Sequence, residues 1–209
     1  MKTVIVNHIH KQYHNHVIFD DFSLEVEQGE FVAIQGASGS GKSTLLNMIG
    51  LLDKPDKEDV ILFGNKNVKP FSRKANELLK NQIGYLFQNF ALIENKSVFY
   101  NLNMSIEHFK FSDKESRIKK ALKDVGLENL ENKKIYECSG GEQQRIALAR
   151  LLIKPCELIL ADEPTGSLDE RNKEIVFQIL KNMQKQGKAI IIVSHDSQLV
   201  RRADKIINI

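Results

Sequence analysis

The sequence predicts an α/β fold built on a parallel sheet, from two apolar segments and the pattern between them. Residues 158–161 and 190–193 have the length and β-branching of strands that are buried on both faces. The segment between them carries apolar residues at three- and four-residue intervals, as one face of an amphipathic helix does. A strand, a helix and a strand in this order predict two parallel strands joined by a right-handed crossover. The apolar helix positions are Ile175, Val176, Ile179, Leu180 and Met183.

The N-terminal part is predicted to be mainly β-structure. Apolar and polar residues alternate from 22 to 27, as in a strand with one buried face. A Gln28-Gly29 turn leads into the apolar run 31–34, which ends in a glycine-rich loop. Beyond the loop, a short helix is predicted from the spacing of Leu45, Leu46, Met48 and Ile49.

Residues 89–137 have a different composition. They are rich in Lys, Glu and Asn, and they contain no run of the buried-strand type. Ile118, Leu122 and Val125 are spaced as on one face of an amphipathic helix. We therefore predict a mostly helical insertion that lies beside the sheet.

The bulk composition is typical of a single globular domain and excludes several classes of protein. In its 209 residues, 30 Lys and Arg against 27 Asp and Glu leave a net charge of +3, too small to indicate nucleic-acid binding by charge alone. No apolar run approaches the roughly 18 residues that a membrane span requires, and the first residues lack a signal-peptide core. We expect a cytoplasmic protein with no nucleic-acid partner, in which Cys138 and Cys156 stay reduced.

The glycine-rich loop matches a phosphate-binding pattern. Residues 36–43 read G-x-x-x-x-G-K-[ST] between a strand and a helix, a context that disfavours an ordinary glycine-rich turn with an incidental lysine. Its backbone N–H groups and the helix N-terminus would hold the α- and β-phosphates. Lys42 is expected to reach the β- and γ-phosphates, and Ser43 to give a hydroxyl to Mg²⁺. The residues predicted to bind nucleotide here are Gly36, Ala37, Ser38, Gly39, Ser40, Gly41, Lys42, Ser43 and Thr44.

Two carboxylates follow the buried strand 158–161. Asp162 and Glu163 lie at its C-terminal end, where open α/β sheets present their ligands. Asp162 could hold Mg²⁺, and Glu163 could orient or deprotonate an attacking water. The alternative is that the strand simply ends in a polar turn capped by Asp and Glu, with no catalytic role. The phosphate loop in the same chain favours the catalytic role.

A second anion-binding device lies between these motifs. Ser139, Gly140 and Gly141 open a helix whose free N–H groups could grip a phosphate. One phosphate loop already covers the α- and β-phosphates of its own nucleotide. The second device therefore makes best sense if it serves a nucleotide that a neighbouring copy holds.

With these residues, the sequence closely resembles the ATP-binding subunits of ABC transporters. Residues 139–150 resemble the signature helix, and residues 160–169 resemble the Walker B and D-loop region. Gln88, His195 and Tyr13 match the Q-loop glutamine, the switch histidine and the aromatic residue that stacks on adenine. The motifs occur in the order of the family and cover nearly the whole chain.

The resemblance implies a fold and a division of the chain. The fold is a RecA-like P-loop NTPase core with a parallel sheet, an N-terminal antiparallel β subdomain and a helical subdomain insertion. Residues 1–88 and 158–209 would form the nucleotide-binding core with the β subdomain. Residues 89–157 would form the helical subdomain with the signature motif, and residues 1–209 together would be one ABC ATPase domain.

The resemblance also implies that two copies act together. They would pair head to tail around two Mg-ATP, so that Ser139, Gly140 and Gly141 of one copy cap the γ-phosphate held by the other. Asp169 would contact the opposite copy. A transmembrane permease on a separate polypeptide would be the second partner and would hold the protein at the inner face of the membrane. The implied catalytic residues are Glu163, His195, Lys42 and Gln88, and the implied metal ligands are Ser43, Gln88 and Asp162.

Within the family, residues 141–145 and 161–166 look most like the branch that drives macrolide export, lipoprotein release, and bacteriocin or antimicrobial-peptide export. Export or release of a peptide, lipoprotein or antimicrobial is therefore the expected function.

Cys138 departs from the leucine that usually precedes the signature, and as a small apolar residue it is expected to preserve packing. The chain stops at Ile209, where others in the branch continue, so no C-terminal regulatory domain is expected.

Other patterns have simpler explanations than a site. The histidines 8, 10, 14 and 16 are expected to be exposed β-residues, because no carboxylate or thiolate completes an obvious metal site. Lysines 119, 120, 133 and 134 are expected to be solvated charges. The aromatic residues 87, 90, 99 and 100 could be core or could form the surface that meets the permease, and both interpretations stay open.

Two other functions compete with a transporter ATPase. ABC-type ATPases that act on ribosomes usually carry two cassettes, and those linked to DNA carry long coiled coils or zinc modules, whereas this sequence has one compact copy. A small-molecule phosphoryl transferase would share the phosphate loop but would have no use for Ser139-Gly140-Gly141. The transporter function is therefore preferred.

Overall fold

Two sheets and a set of helices make up the computed structural model, which describes residues 1–166 and 168–209. The strands are β1 (Lys2–Tyr13), β2 (His16–Glu27), β3 (Phe31–Gln35), β4 (Val60–Leu62), β5 (Ile83–Leu86), β6 (Leu158–Asp162), β7 (Ala189–Val193) and β8 (Lys205–Asn208). The helices are α1 (Lys42–Ile49), α2 (Arg73–Asn81), α3 (Val98–Ile106), α4 (Lys114–Asp124), α5 (Gly140–Ile153), α6 (Glu170–Lys185) and α7 (Ser197–Val200).

The larger sheet is parallel and has the strand order β5-β6-β7-β3-β8. Alternate residues of its strands enter two different apolar clusters, one on each face. Phe31 and Ala33 of β3 join a cluster with residues of α3 to α6, whereas Val32 and Ile34 join a cluster with residues of α1, α2 and the second sheet. Burial on both faces explains why these strands have continuous apolar sequences. The predicted strand–helix–strand unit is confirmed, since β6 and β7 pair in parallel and α6 connects them.

The smaller sheet is antiparallel and has the order β2-β1-β4. In β2, Leu24 and Val26 are buried while Glu25 and Glu27 are exposed, as the alternating sequence predicts. An α/β fold with a parallel core, an antiparallel N-terminal sheet and a group of helices is therefore confirmed.

The ladder between β1 and β2 contains a bulge that changes which residues face inward. His8 and Asp21 both have positive φ angles, 47° and 61°. The pairing register shifts between Val6 and Ile9. As a result Val6 is buried before the shift and Ile9 and Lys11 are buried after it.

The histidines of β1 lie on the outer side of this bulge. His8 Nδ1 lies 2.5 Å from a carboxylate oxygen of Asp21, and His10 Nδ1 lies 3.1 Å from one of Asp20. His8 is exposed, as the sequence predicts, whereas His10 is half-buried.

The helices α3, α4 and α5 pack together beside the parallel sheet. Ile118 and Leu122 are buried in α4, which confirms the predicted amphipathic helix, although the helix ends at Asp124 and Val125 is its C-cap. Ser97 and Ser139 start α3 and α5 as N-caps with side-chain hydrogen bonds. Within the described ranges, no helix combines the length and apolarity needed to cross a bilayer.

Candidate nucleotide-binding and catalytic site

The parallel sheet brings the separate motifs to one edge. The C-terminal ends of β5, β6, β7 and β3 lie side by side, and each is followed by a predicted functional segment. A cleft of about 740 Å³ opens at this edge, a size typical of ligand sites. Its lining includes Tyr13, Ile18, Ser38, Gly39, Gly41, Lys42, Ser43, Thr44, Gln88, Phe90, Asp162, Glu163, Gly166, Val193 and His195.

The phosphate loop ends in a helix N-terminus that no side chain caps. Gly41 is the N-cap of α1 in a left-handed conformation, with φ 97°, and α1 has no side-chain cap hydrogen bond. The first N–H groups of α1 therefore stay available for an anion. Lys42 is only 7% exposed, and its ammonium donates to the carbonyl oxygens of Gly36 and Ala37 at 3.0 and 2.6 Å.

Two glycines of the loop are required by close packing. A Cβ at Gly36 would collide with the carbonyl oxygen of Ile209, and a Cβ at Gly41 would collide with the Ile18 side chain. The loop thus packs against the end of the chain on one side and against β2 on the other. Both contacts fix the loop where its N–H groups open toward the cleft.

The residues at this edge fit a magnesium nucleotide. The hydroxyl of Ser40 is buried without a hydrogen-bond partner among the described residues, which leaves a polar atom for a ligand to satisfy. Ser43, Gln88 and Asp162 present a hydroxyl, an amide and a carboxylate to the same cleft. Oxygen ligands of this kind are the ones that Mg²⁺ prefers.

Glu163 and His195 face each other across the ends of β6 and β7. The backbone N–H of His195 donates to Glu163 Oε2 at 3.3 Å, and His195 Nε2 lies 3.6 Å from Oε1. Glu163 has a positive φ of 48°, and its own N–H donates to the carbonyl of Val193 at 2.9 Å. A left-handed glutamate costs backbone energy, so the neighbouring strand holds this carboxylate in a conformation that it would rarely adopt alone.

Tyr85 connects the phosphate-loop helix to the acidic strand end. Its hydroxyl donates to Asn47 Oδ1 of α1 at 3.0 Å, and its ring stacks on Phe87 with centroids 4.1 Å apart. Burial and the nearby Asp162 carboxylate raise the pKa of Tyr85 well above its usual value. The raised pKa extends to more alkaline pH the range over which the phenol can donate this hydrogen bond.

Tyr13 stands at the other end of the cleft. Its ring is 45% exposed, and its hydroxyl donates to Asp53 Oδ2 at 2.5 Å. Tyr13 and Thr44 both line the cleft, so the Tyr13 ring shares it with the residues of the phosphate loop.

The signature residues lie outside this cleft. Ser139 and Gly140 are exposed and Gly141 is half-buried. Ser139 forms a reciprocal capping box with Glu142, with bonds of 3.2 and 2.7 Å. Asp169 is also exposed, as the N-cap of α6. The structure thus collects most predicted site residues in one cleft, while Gly36, Ala37 and Ser40 belong to the phosphate loop but do not line the cleft. Another group lies on the surface of the same chain: Ser139, Gly140, Gly141 and Asp169.

The structure also reveals site residues that the sequence reasoning missed. Ile18, Phe90, Gly166 and Val193 line the cleft. Phe90 and Val193 are close in sequence to Gln88 and His195, which could have indicated them, whereas nothing in the sequence marks Ile18.

An arginine of the signature helix holds the segment that follows Gln88. Arg150 of α5 donates to the carbonyl oxygens of Phe90 and Ala91 at 2.7 and 2.6 Å. Both acceptor residues have positive φ angles, 61° and 47°. The helix that begins with Ser139 is therefore tied directly to the edge of the nucleotide cleft.

Cys138 occupies a packed position before the signature. It is 6% exposed and belongs to the apolar cluster of α3 to α6. Burial raises the pKa of its thiol, so the reactive thiolate is disfavoured. Its surroundings suit the small apolar residue that the sequence analysis expects.

Comparison with known proteins agrees with this geometry. The sequence model of the family described as ABC transporter matches residues 19–166. The macrolide export ATP-binding/permease protein MacB of Chlorobaculum tepidum is 41% identical over 189 residues, which are 90% of this chain and 29% of that protein. MacB of Campylobacter jejuni is 36% identical over 208 residues, 99% of this chain and 32% of that protein. The chain thus spans about a third of the length of these curated relatives.

Solved structures give the same result. The dimeric structure of MJ0796, a bacterial ABC transporter cassette, superposes with a TM-score of 0.91 at 34% identity, over 99% of this chain and 94% of that chain. A dimeric post-hydrolysis state of the same cassette, bound to ADP and Pi, has a TM-score of 0.90. The chain therefore belongs to the ABC transporter family, as one of its ATPase cassettes that use Mg-ATP.

Proposed function

We propose that this chain is the ATP-hydrolysing motor of an ABC transporter that exports or releases a peptide, lipoprotein or antimicrobial. The main support for the proposal is that the predicted site residues occupy two separate places on the chain. The phosphate loop, Asp162, Glu163, Gln88 and His195 share one cleft, while the signature residues lie on the surface of the same chain. A cleft that lacks its γ-phosphate cap binds nucleotide but needs a second copy to complete it.

Each residue of the cleft has a role in this proposal. Lys42 and the N–H groups of α1 neutralise the phosphate charge that grows during transfer. Glu163 orients the attacking water and accepts its proton, and the bond from the His195 N–H fixes the carboxylate for that task. His195 contacts the γ-phosphate. Ser43, Gln88 and Asp162 would hold Mg²⁺, which would supply positive charge to the phosphate oxygens.

The second copy supplies the groups that the cleft lacks. In a head-to-tail pair, Ser139, Gly140 and Gly141 at the N-terminus of α5 close over the γ-phosphate of the other copy. Asp169 contacts the partner. Both segments are exposed in the single chain, as this arrangement requires, and the related cassette MJ0796 is dimeric in two structures.

A surface patch beside the cleft is proposed to dock a transmembrane permease. Ile93, Tyr100 and Met104 are 38%, 43% and 46% exposed, although Phe90 and Phe99 pack against the apolar cluster behind them. The exposure of Tyr100 favours docking, whereas the packing of Phe90 and Phe99 favours a role in the core. Arg150 links this region to α5 and would transmit its movement to the signature helix.

The names of the relatives support the proposed class of cargo. The MacB proteins are named for macrolide export and for combined ATP-binding and permease functions. The proposed cargo is a peptide, lipoprotein or antimicrobial, moved by a permease that the cassette serves from the inner face of the membrane.

Replacing Lys42 by Ala is expected to weaken ATP binding roughly 10- to 100-fold, because a charge-assisted hydrogen bond to the phosphates is lost. Isothermal titration calorimetry with Mg-ATP measures the affinity. Lys54→Ala, which removes an exposed lysine elsewhere, is the control. An unchanged affinity in the Lys42 variant would contradict its role.

Replacing Glu163 by Gln should leave ATP binding intact and slow hydrolysis about 10²- to 10⁴-fold, since the amide cannot take the proton of the water. The stalled chain should elute as a dimer in size-exclusion chromatography with ATP and as a monomer without it. Normal phosphate release by this variant would show that another group activates the water.

Replacing Tyr100 by Glu tests the docking patch. The wild-type chain, purified from detergent-solubilised membranes of its own cells, should bring with it a multi-span polypeptide identified by mass spectrometry. Tyr100→Glu should reduce this recovery at least tenfold, as loss of an interface aromatic typically costs 2 kcal/mol or more, about 30-fold. Phe71→Glu, at another exposed aromatic residue, is the control; equal recovery with both variants would refute docking at Tyr100.

A further inference from the structure

Lys11 is a buried cation that the catalytic mechanism does not use. The bulge at His8 turns it inward, and it is 5% exposed in β1. Lysines are rarely so deeply buried unless their charge is paired. The groups around Lys11 therefore indicate the structural role of its charge.

The ammonium of Lys11 is held by the loop that follows α1. It donates to Asp53 Oδ1 at 3.0 Å and to the carbonyl oxygen of Lys54 at 2.9 Å. Asp56 Oδ1 lies 3.8 Å away. These contacts join the antiparallel sheet to the loop that follows α1.

Tyr13 donates to the second oxygen of the Asp53 carboxylate. Asp53 Oδ1 accepts from Lys11, and Asp53 Oδ2 accepts from the Tyr13 hydroxyl at 2.5 Å. The ammonium of Lys11 also lies 4.7 Å from the centroid of the Tyr13 ring. The ring is therefore fixed at its hydroxyl by Asp53 and covered on one side by a cation.

The protonation states agree with this arrangement. Burial and the hydrogen bond to Asp53 raise the pKa of Tyr13. Burial also opposes ionisation of Asp53, but the bonds from Tyr13 and Lys11 outweigh it and lower the pKa of that carboxyl. At neutral pH the phenol remains a donor and the carboxylate an acceptor.

The same arrangement leaves part of the ring for a ligand. Tyr13 is 45% exposed and lines the nucleotide cleft, whereas Lys11 is buried behind it. Because hydroxyl and ring are already ordered, little side-chain freedom remains to be lost when a base stacks on the ring. A freely rotating tyrosine would lose that freedom on binding.

The geometry points to Lys11 and Asp53 as positioning residues that hold the Tyr13 ring ready to stack on the nucleotide base. This inference rests on the proposed role of the cleft in ATP binding. Lys11 and Asp53 act through Tyr13, so they should strengthen the part of the affinity that depends on the base and leave the part that depends on the phosphates unchanged.

The test compares two ligands that differ in the base. The affinities of Mg-ATP and of Mg-tripolyphosphate, which has phosphates but no base, are measured by calorimetry for each variant. Tyr13→Ala should weaken ATP roughly 5- to 100-fold, the range of base–aromatic stacking. Lys11→Met and Asp53→Asn should each weaken ATP about 3- to 10-fold. None of the three should change the affinity for tripolyphosphate.

The controls separate the possible failures. Lys54→Met removes a lysine from the same loop but keeps the backbone carbonyl, and it should behave as wild type. Lys11→Arg keeps the cation and should restore most of the ATP affinity. Asp53 is partly exposed, so its Asn variant provides the test if Lys11→Met does not fold.

Two results in Asp53→Asn and in any folded Lys11→Met would overturn the inference: an ATP affinity equal to that of the wild type, or an equal loss of affinity for ATP and tripolyphosphate. An unchanged ratio in Tyr13→Ala would instead count against the role of Tyr13 in the proposed function. The tripolyphosphate titration of the wild-type chain tests separately whether the cleft binds phosphates.

Discussion

The parallel pairing of β5, β6, β7 and β3 is the constraint on which the rest of the site depends. Parallel neighbours end at the same edge, so Gln88, Asp162, Glu163 and His195 reach one cleft although they are far apart in the sequence. The pairing also explains the apolar composition of the strands, since each is covered on both faces. A shift in the register between β6 and β7 would separate Glu163 from the His195 N–H that orients it.

The positive and negative groups at this edge of the sheet are complementary to a magnesium nucleotide. Lys42, at the uncapped N-terminus of α1, lines the cleft together with the carboxylates of Asp162 and Glu163. The bound metal and the phosphates would complement both kinds of charge. In the proposed mechanism, the single chain already holds the groups that bind the phosphates and orient the water, and the second copy adds the cap over the γ-phosphate.

Much of the fold and of the candidate site was predictable from local sequence, because the motifs are contiguous and each has a direct physical meaning. The phosphate loop, the acidic end of β6 and the strand–helix–strand unit follow from residues adjacent in the chain. The inward turn of Lys11 was not predictable, because it depends on a bulge formed by two positive-φ residues, His8 and Asp21, on different strands. Simple alternation from Val6 would have placed His8 and His10 inside. The clamp from Arg150 to Phe90 and Ala91 was also missed, since it joins segments that only the tertiary fold brings together.

The central claim is that each nucleotide is completed by the signature helix of the other copy. It is tested most directly by mixing two inactive variants, Glu163→Gln and Gly140→Asp. The second introduces a negative charge at a position where an added Cβ meets no atom within 4 Å in the single chain. In a mixed dimer, the intact cleft of the Gly140 variant meets the intact signature of the Glu163 variant. The account predicts ATPase activity well above the sum of the two separate proteins, while a mixture as inactive as its components would contradict it.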